Sequence, residues 1–143
     1  MRIAIASDHA AYELKAVLAD WLRAEGHDVA DLGTNGPESV DYPDYGFKLA
    51  AHVASGAAEF GVALCGSGIG ISIAANRHAH IRCALVHDVT GARLCRQHND
   101  ANVLALGARL TGVEVAKDCV DVFLSAEFEG GRHQGRVDKL SQC

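Results

Sequence analysis

The stretch Cys65-Gly66-Ser67-Gly68-Ile69-Gly70 sets a thiol directly before three glycines at alternate positions. Glycines allow backbone angles and a close ligand approach that side chains would block. Their amides, with a helix start behind them, form a pocket for negative charge. No Gly-Lys-Ser/Thr follows, so this is not a nucleotide-binding P-loop. A tight strand-to-helix connection would account for the glycines but not for the thiol before them. A cysteine in such a place can ionise and serve as a base or nucleophile beside an oxyanion pocket.

Two further stretches carry chemistry. In Arg132-His133-Gln134-Gly135-Arg136 the arginines stand one helical turn apart on the same face. Like charges at that spacing repel, and cations near a helix start oppose its dipole. A solvated basic turn is the common outcome, yet the arrangement costs stability unless an anion joins it. Phosphate is the anion that two guanidinium groups fit. Arg96-Gln97-His98-Asn99-Asp100 contains a histidine, a side-chain type able to act as acid or base, so His98 is a candidate for either role. His78 and His80 form an H-x-H pair with no completing ligands nearby, which reads as a solvated helix end and predicts no metal site.

The elements that must position these residues alternate along the chain. Strands are predicted over residues 2–6, 27–32, 60–64, 81–86 and 102–106. Helices are predicted over 11–25, from Pro43 to about Ser55, from Ile71 to Asn76, and over 89–97, 112–124 and about 131–140. In the first helix, Leu14, Val17, Leu18, Trp21 and Leu22 form the apolar stripe, and Gly26 is the expected cap. Alternation of this kind implies right-handed crossovers and a parallel sheet covered on both faces. Near-continuous apolar strands agree with that burial. The expectation is a single three-layer α/β domain over residues 1–143, with about five parallel strands and a C-terminal helix. Ligands in such sheets bind beyond the carboxyl ends of the strands. Asp8 and His9, the Cys65 loop and Arg109 all fall there.

Composition narrows the function classes. A chain of 143 residues with 49% hydrophobic residues and two prolines has enough apolar surface for one core. A net charge of −5 argues against a nucleic-acid surface. No apolar run is long enough to span a bilayer, and the sequence opens into a strand pattern rather than a signal segment. Five cysteines without a C-x-x-C pair fit free thiols in a reducing, cytoplasmic setting.

Taken in order, Asp8-His9, Asp41-Tyr42-Pro43, Cys65 through Asn76, Arg96 through Asp100 and Gly131 through Arg136 resemble the ribose-5-phosphate isomerase B family over nearly the whole chain. That family also includes galactose-6-phosphate isomerase subunits. The resemblance implies a Rossmann-like fold, a homodimer or dimer of dimers, no metal or other cofactor, and aldose–ketose isomerisation of a small-molecule sugar phosphate. By position, Cys65 matches the proton-abstracting cysteine, Ser67 a hydroxyl that is often threonine, and His98 the histidine of ring opening. Gly66, Ser67, Gly68, Ile69 and Gly70 match the loop that holds the enediolate oxygens. Asp8, His9 and Asn99 match polar substrate contacts, with Tyr42 a lesser one. Arg109, Arg132 and Arg136 match phosphate contacts. One branch lacks the cysteine and has a glutamate where this chain has Ile71, so Cys65 assigns the chain to the cysteine branch. Ribose 5-phosphate is the expected substrate. Galactose, allose and erythrose or erythrulose phosphates remain open, as does a non-catalytic phosphate-binding module. A redox thiol enzyme would want a resolving cysteine near Cys65, and none is there.

Topology adds one expectation. Cys65 ends the third strand, whereas His98 and Asn99 precede the fifth and so lie toward the opposite edge of the sheet. A strand of five residues spans about 17 Å, too far for an imidazole to reach its own Cys65. If both serve one site, two subunits must share it.

Overall fold

The computed structural model describes residues 1–143, and its strands are β1 (Arg2–Ser7), β2 (Asp28–Asp31), β3 (Phe60–Cys65), β4 (Cys83–Leu85) and β5 (Val103–Gly107). Six helices alternate with and follow them: α1 (Tyr12–Ala24), α2 (Tyr42–Ala54), α3 (Ile69–Ala75), α4 (Val89–Asn99), α5 (Val113–Ser125) and α6 (Arg132–Leu140). The five strands form one parallel sheet in the order β2-β1-β3-β5-β4.

Alternate residues along each strand face opposite sides of the sheet. Ile3, Ile5, Val62, Leu64, Leu104 and Leu106 pack on one side with Leu18 and Leu22 of α1 and Val120 and Phe123 of α5. The residues between them, Ala4, Ala6, Ala63, Cys65, Val103 and Ala105, face Leu49, Ala50 and Val53 of α2 and Ile71 and Ala75 of α3. The strands thus present mostly Ile, Val and Leu to the first side and mostly Ala to the second.

The strand order creates the crevice. From β1 the chain passes to β2 on one side and later to β3 on the other, with α1 and α2 on opposite faces. Such a switch point leaves an opening beyond the carboxyl ends of the two central strands. Asp8 follows one of them and Cys65 ends the other.

Local signals explain the boundaries. The amides of Gly26 and His27 donate to the carbonyls of Arg23 and Leu22, closing α1 with a left-handed glycine at φ 94°. Pro43 sits in the first turn of α2. Asp88 caps α4 by accepting the Gly91 amide at 2.7 Å.

Three details differ from the sequence expectation. Val17, counted in the apolar stripe of α1, is exposed. Helix α3 begins at Ile69, two residues early. Helix α4 runs through His98 and Asn99, so these stand in its last turn rather than in the connection after it. Asp100 then leaves the helix at φ 48°.

One buried charge was not expected. Lys15 of α1 is 1% exposed, and its ammonium donates to both Asp31 oxygens at 2.7 and 2.6 Å and to Asn35 Oδ1 at 2.8 Å. Asp31 Oδ1 also accepts the Gly33 amide at 2.9 Å. Gly33 and Thr34 are in turn bonded to the main chain of Ser7, next to Asp8. A paired ammonium therefore anchors the turn that holds the end of β1.

Candidate active site

A cleft of about 570 Å³ opens at the switch point, lined by Asp8, His9, Tyr42, Cys65, Gly66, Ser67, Ile69, Gly70 and Arg109, and also by Ala10, Ile73 and Leu110. Cys65 and Gly107 are paired neighbours on β3 and β5. Beyond them the turns run together, with the Ala108 and Arg109 amides donating to the carbonyls of Cys65 and Gly66 at 2.9 Å each. That approach explains Gly107, because a Cβ there would lie 2.5 Å from the Ser67 carbonyl carbon.

The thiol sits on the cleft wall, 5% exposed. Its sulfur accepts the Gly68 amide at 3.2 Å. Gly68 adopts φ 77°, and a Cβ on it would meet the Leu106 carbonyl carbon at 2.8 Å, so this geometry requires glycine. Gly68 serves from behind the wall rather than lining the cleft. Ser67 Oγ accepts the Ile69 amide at 3.2 Å, leaving its proton free to donate. The Arg109 guanidinium lies over Gly66.

Asp8 and His9 line the same cleft, with the Asp8 amide donating to the Leu64 carbonyl at 3.2 Å beside the end of β3. Asp8 Oδ1 accepts the Ala10 amide at 3.0 Å. His9 Nδ1 accepts the Val40 amide at 3.1 Å, so the imidazole carries its proton on Nε2.

The remaining expected residues are elsewhere. His98, Asn99 and Arg136 line a separate cavity of about 290 Å³ with His133, Val137 and Leu140. Arg132 begins α6 and is exposed. One chain therefore carries two half-sets of candidate residues, one at the carboxyl edge of the sheet and one beside the ends of α4 and α6.

Sequence reading missed two groups in the second set. The His133 ring stacks on His98, with centroids 4.5 Å apart and planes at 14°. Glu129 faces both imidazoles. Burial, with the charges of His98 and Arg132, holds the His133 pKa below its usual value. Spacing from the apolar Val137, four residues on, could have placed His133 on the inner face of α6, but Glu129 lies in a loop that no periodicity reaches.

Arg96 has a structural task instead. Its guanidinium donates to Asp100 Oδ1 at 2.8 Å and to the Ala101 carbonyl at 2.7 Å, and it lies over the Phe60 ring. Among the other thiols, burial pushes Cys83 up to about 12 and Cys95 to about 11, and raises Cys119. None of these three lines the cleft.

Comparison with known proteins agrees with this geometry. Residues 3–140 match the family model described as Ribose/Galactose Isomerase. Ribose-5-phosphate isomerase B of Escherichia coli is 46% identical over 140 residues, covering 98% of this chain and 94% of that protein. The structure of Clostridium thermocellum ribose-5-phosphate isomerase B superposes with a TM-score of 0.98 at 52% identity, covering 99% of this chain and 96% of that one. A galactose-6-phosphate isomerase subunit, LacB, from Clostridium acetobutylicum is 40% identical over 97% of this chain and 80% of its own length. With this fold, this strand order and a matched span of nearly the whole sequence, the chain belongs to the ribose/galactose isomerase family.

Proposed function

We propose that this chain interconverts ribose 5-phosphate and ribulose 5-phosphate through an enediolate, with Cys65 as the base. The observation that carries this reading is the Cys65 wall of the cleft: a sulfur held by an amide, a free hydroxyl beside it, and an arginine across Gly66. In the open aldose, the thiolate takes the proton from C2. The C2–H electron pair becomes the C1–C2 double bond, and the carbonyl pair moves onto O1. Return of the proton to C1, with the proton on O2 passed to O1, leaves the ketose. Donors of the 66–70 loop and the Ser67 hydroxyl stabilise the developing oxyanion. Removing one such donor in acyl-transfer enzymes costs about 2.7–4 kcal/mol, and a comparable share is expected here.

The furanose must open first, which calls for an acid and a base at the ring oxygen and the anomeric hydroxyl. His98 and Asp8 take these roles, with His9 and Asn99 as further polar contacts and Tyr42 as a lesser one. Arg109, Arg132 and Arg136 take the phosphate, whose distant binding orients C1 and C2 for proton transfer.

The two half-sets combine when a second copy brings its His98 half to this copy's Cys65 cleft, making a homodimer with shared sites. Exposed Tyr42, Ile69, Ile73 and Leu110 border that cleft, an apolar rim that a second subunit would cover. A dimer of dimers keeps the same shared site. Five free cysteines fit the reducing cytoplasm. No helix is long and apolar enough to cross a membrane.

The test is ketose formation from ribose 5-phosphate by the purified chain and by Cys65→Ala. Turnover by the wild type and loss of more than about nine-tenths of it in the variant are expected, because alanine offers no base to take the C2 proton. Retained turnover in the variant would remove Cys65 as base. Galactose 6-phosphate run in parallel decides the chain length, and faster turnover of the six-carbon sugar would replace the substrate named here.

A further inference from the structure

The stacked rings of His98 and His133 stand among charges that do not balance once a substrate phosphate arrives. Glu129 Oε1 faces His133 Nε2 at 3.5 Å and His98 Nε2 at 3.7 Å. Both distances exceed the roughly 2.7–3.2 Å of a nitrogen–oxygen hydrogen bond, so the carboxylate stands beside both nitrogens and binds neither. Arg136 lines the same cavity as the two rings, and Arg132 precedes His133 at the start of α6. Asp100, at the end of α4, is taken by Arg82 and Arg96.

Two guanidinium groups against one carboxylate leave a single net positive charge around the rings. A phosphate dianion brings two negative charges. The missing charge is one proton, and the imidazole pair is the group beside the anion able to take it. Without an anion His133 resists charging. It is buried, it lies in the first turn of α6 where the helix dipole opposes a cation, and Arg132 and Arg136 repel a proton there. With centroids 4.5 Å apart and planes at 14°, two charged rings would repel, so the pair takes one proton and titrates as a unit. That proton also turns a long Glu129 contact into a charge-assisted one and offsets the repulsion between Glu129 and the anion.

We propose that a phosphate dianion settling on Arg132 and Arg136 draws one proton from solvent onto the His98–His133 pair, so that His98 becomes the ring-opening acid only once a phosphorylated sugar is bound. As the bond from C1 to the ring oxygen breaks, its electron pair takes that proton onto the ring oxygen, and the anomeric hydroxyl proton passes to Asp8. The ring-opening clause rests on the isomerase reading above. The coupling of anion to proton does not.

Imidazole NMR of the full chain, titrated in sodium sulfate and in sodium chloride of equal ionic strength, tests the coupling. Sulfate stays a dianion throughout, whereas phosphate would itself titrate. The pair's signals are those lost in His98→Asn and His133→Asn. Their midpoint should rise in sulfate by at least about one unit, as a nearby opposite charge requires. His27, beside Met1 at the other edge of the sheet, should not move. In Arg132→Ala/Arg136→Ala, which changes two exposed positions, both salts should give one midpoint. No saturable change up to about 0.1 M sulfate, where exposed charges are already screened, would overturn the coupling. So would an equal sulfate shift in the double variant, or uptake of two protons per sulfate by calorimetry in buffers of different ionisation heat. Sulfate should also speed isomerisation of free ribose, toward about tenfold at pH above both midpoints, because a one-unit rise multiplies the charged fraction by about ten. Proton uptake without that acceleration, in an enzyme that turns over ribose 5-phosphate, would overturn the role in ring opening. A chain that turns over no sugar phosphate would remove the isomerase reading and that role with it, and the NMR titration would still decide the coupling.

Discussion

Replacing Gly107 by alanine perturbs the site without touching any group of the proposed chemistry. The added Cβ would lie 2.5, 2.6 and 2.9 Å from the carbonyl carbon, oxygen and Cα of Ser67. These are backbone atoms, so no side chain can rotate away, and one of the two turns must move. Overpacking of this kind costs about 1–3 kcal/mol. For a chain of this size each kcal/mol lowers Tm by roughly 3–4 °C, so a fall of roughly 3–12 °C is expected. The displaced loop carries Ser67 and, one residue on, the amide that binds the Cys65 sulfur. A misplacement of about 1 Å near reacting atoms can cost on the order of 10²-fold in rate. Gly135→Ala is the control, since its Cβ meets nothing within 4 Å and its place in α6 makes alanine stabilising by about 1 kcal/mol. Thermal unfolding and steady-state kinetics read both effects. A Gly107→Ala enzyme with wild-type Tm and turnover would refute the argument that β3 and β5 clamp the loop.

Three further outcomes follow from particular residues. Lys15→Ala leaves Asp31 without its buried partner and should destabilise the fold by about 3–5 kcal/mol in denaturant unfolding. The His133 pKa is held down in the fold, so the unfolded chain takes up a proton first as pH falls below about 6.5, and stability should drop with pH in that window. His133→Asn should flatten that slope, and an NMR titration of the imidazole should show a midpoint below the usual value. Arg136→Ala should raise the Michaelis constant for ribose 5-phosphate by at least tenfold, as loss of one charge-assisted phosphate contact of about 1.5–3 kcal/mol requires.

The order of strands and helices was legible because apolar runs and helical periods alternate cleanly, and because Gly26 and Pro43 mark helix limits. The spatial order β2-β1-β3-β5-β4 was not, since nothing local distinguishes an edge strand from its neighbour. Val17 misled because a stripe on a helix is wider than the face the sheet covers. The Cys65 loop, Asp8, His9 and Arg109 were legible as one group because all follow strands at the same edge. Glu129 and the buried Lys15 were not. Their partners lie across the fold, and a charged residue in a loop or on a helix reads as solvated until packing shows otherwise.

Whether the two half-sets meet across a dimer can be read from one mixing experiment. Cys65→Ala and His98→Ala, each inactive alone, are combined under conditions in which subunits exchange, and ketose formation is followed. A hybrid holds one site with both residues intact and one with neither. Activity should therefore return toward about half of wild type for each hybrid, by the symmetry of a two-fold dimer. If exchange is demonstrated by mass-tagged subunits and no activity returns, Cys65 and His98 do not act together across the interface, and the shared site is wrong.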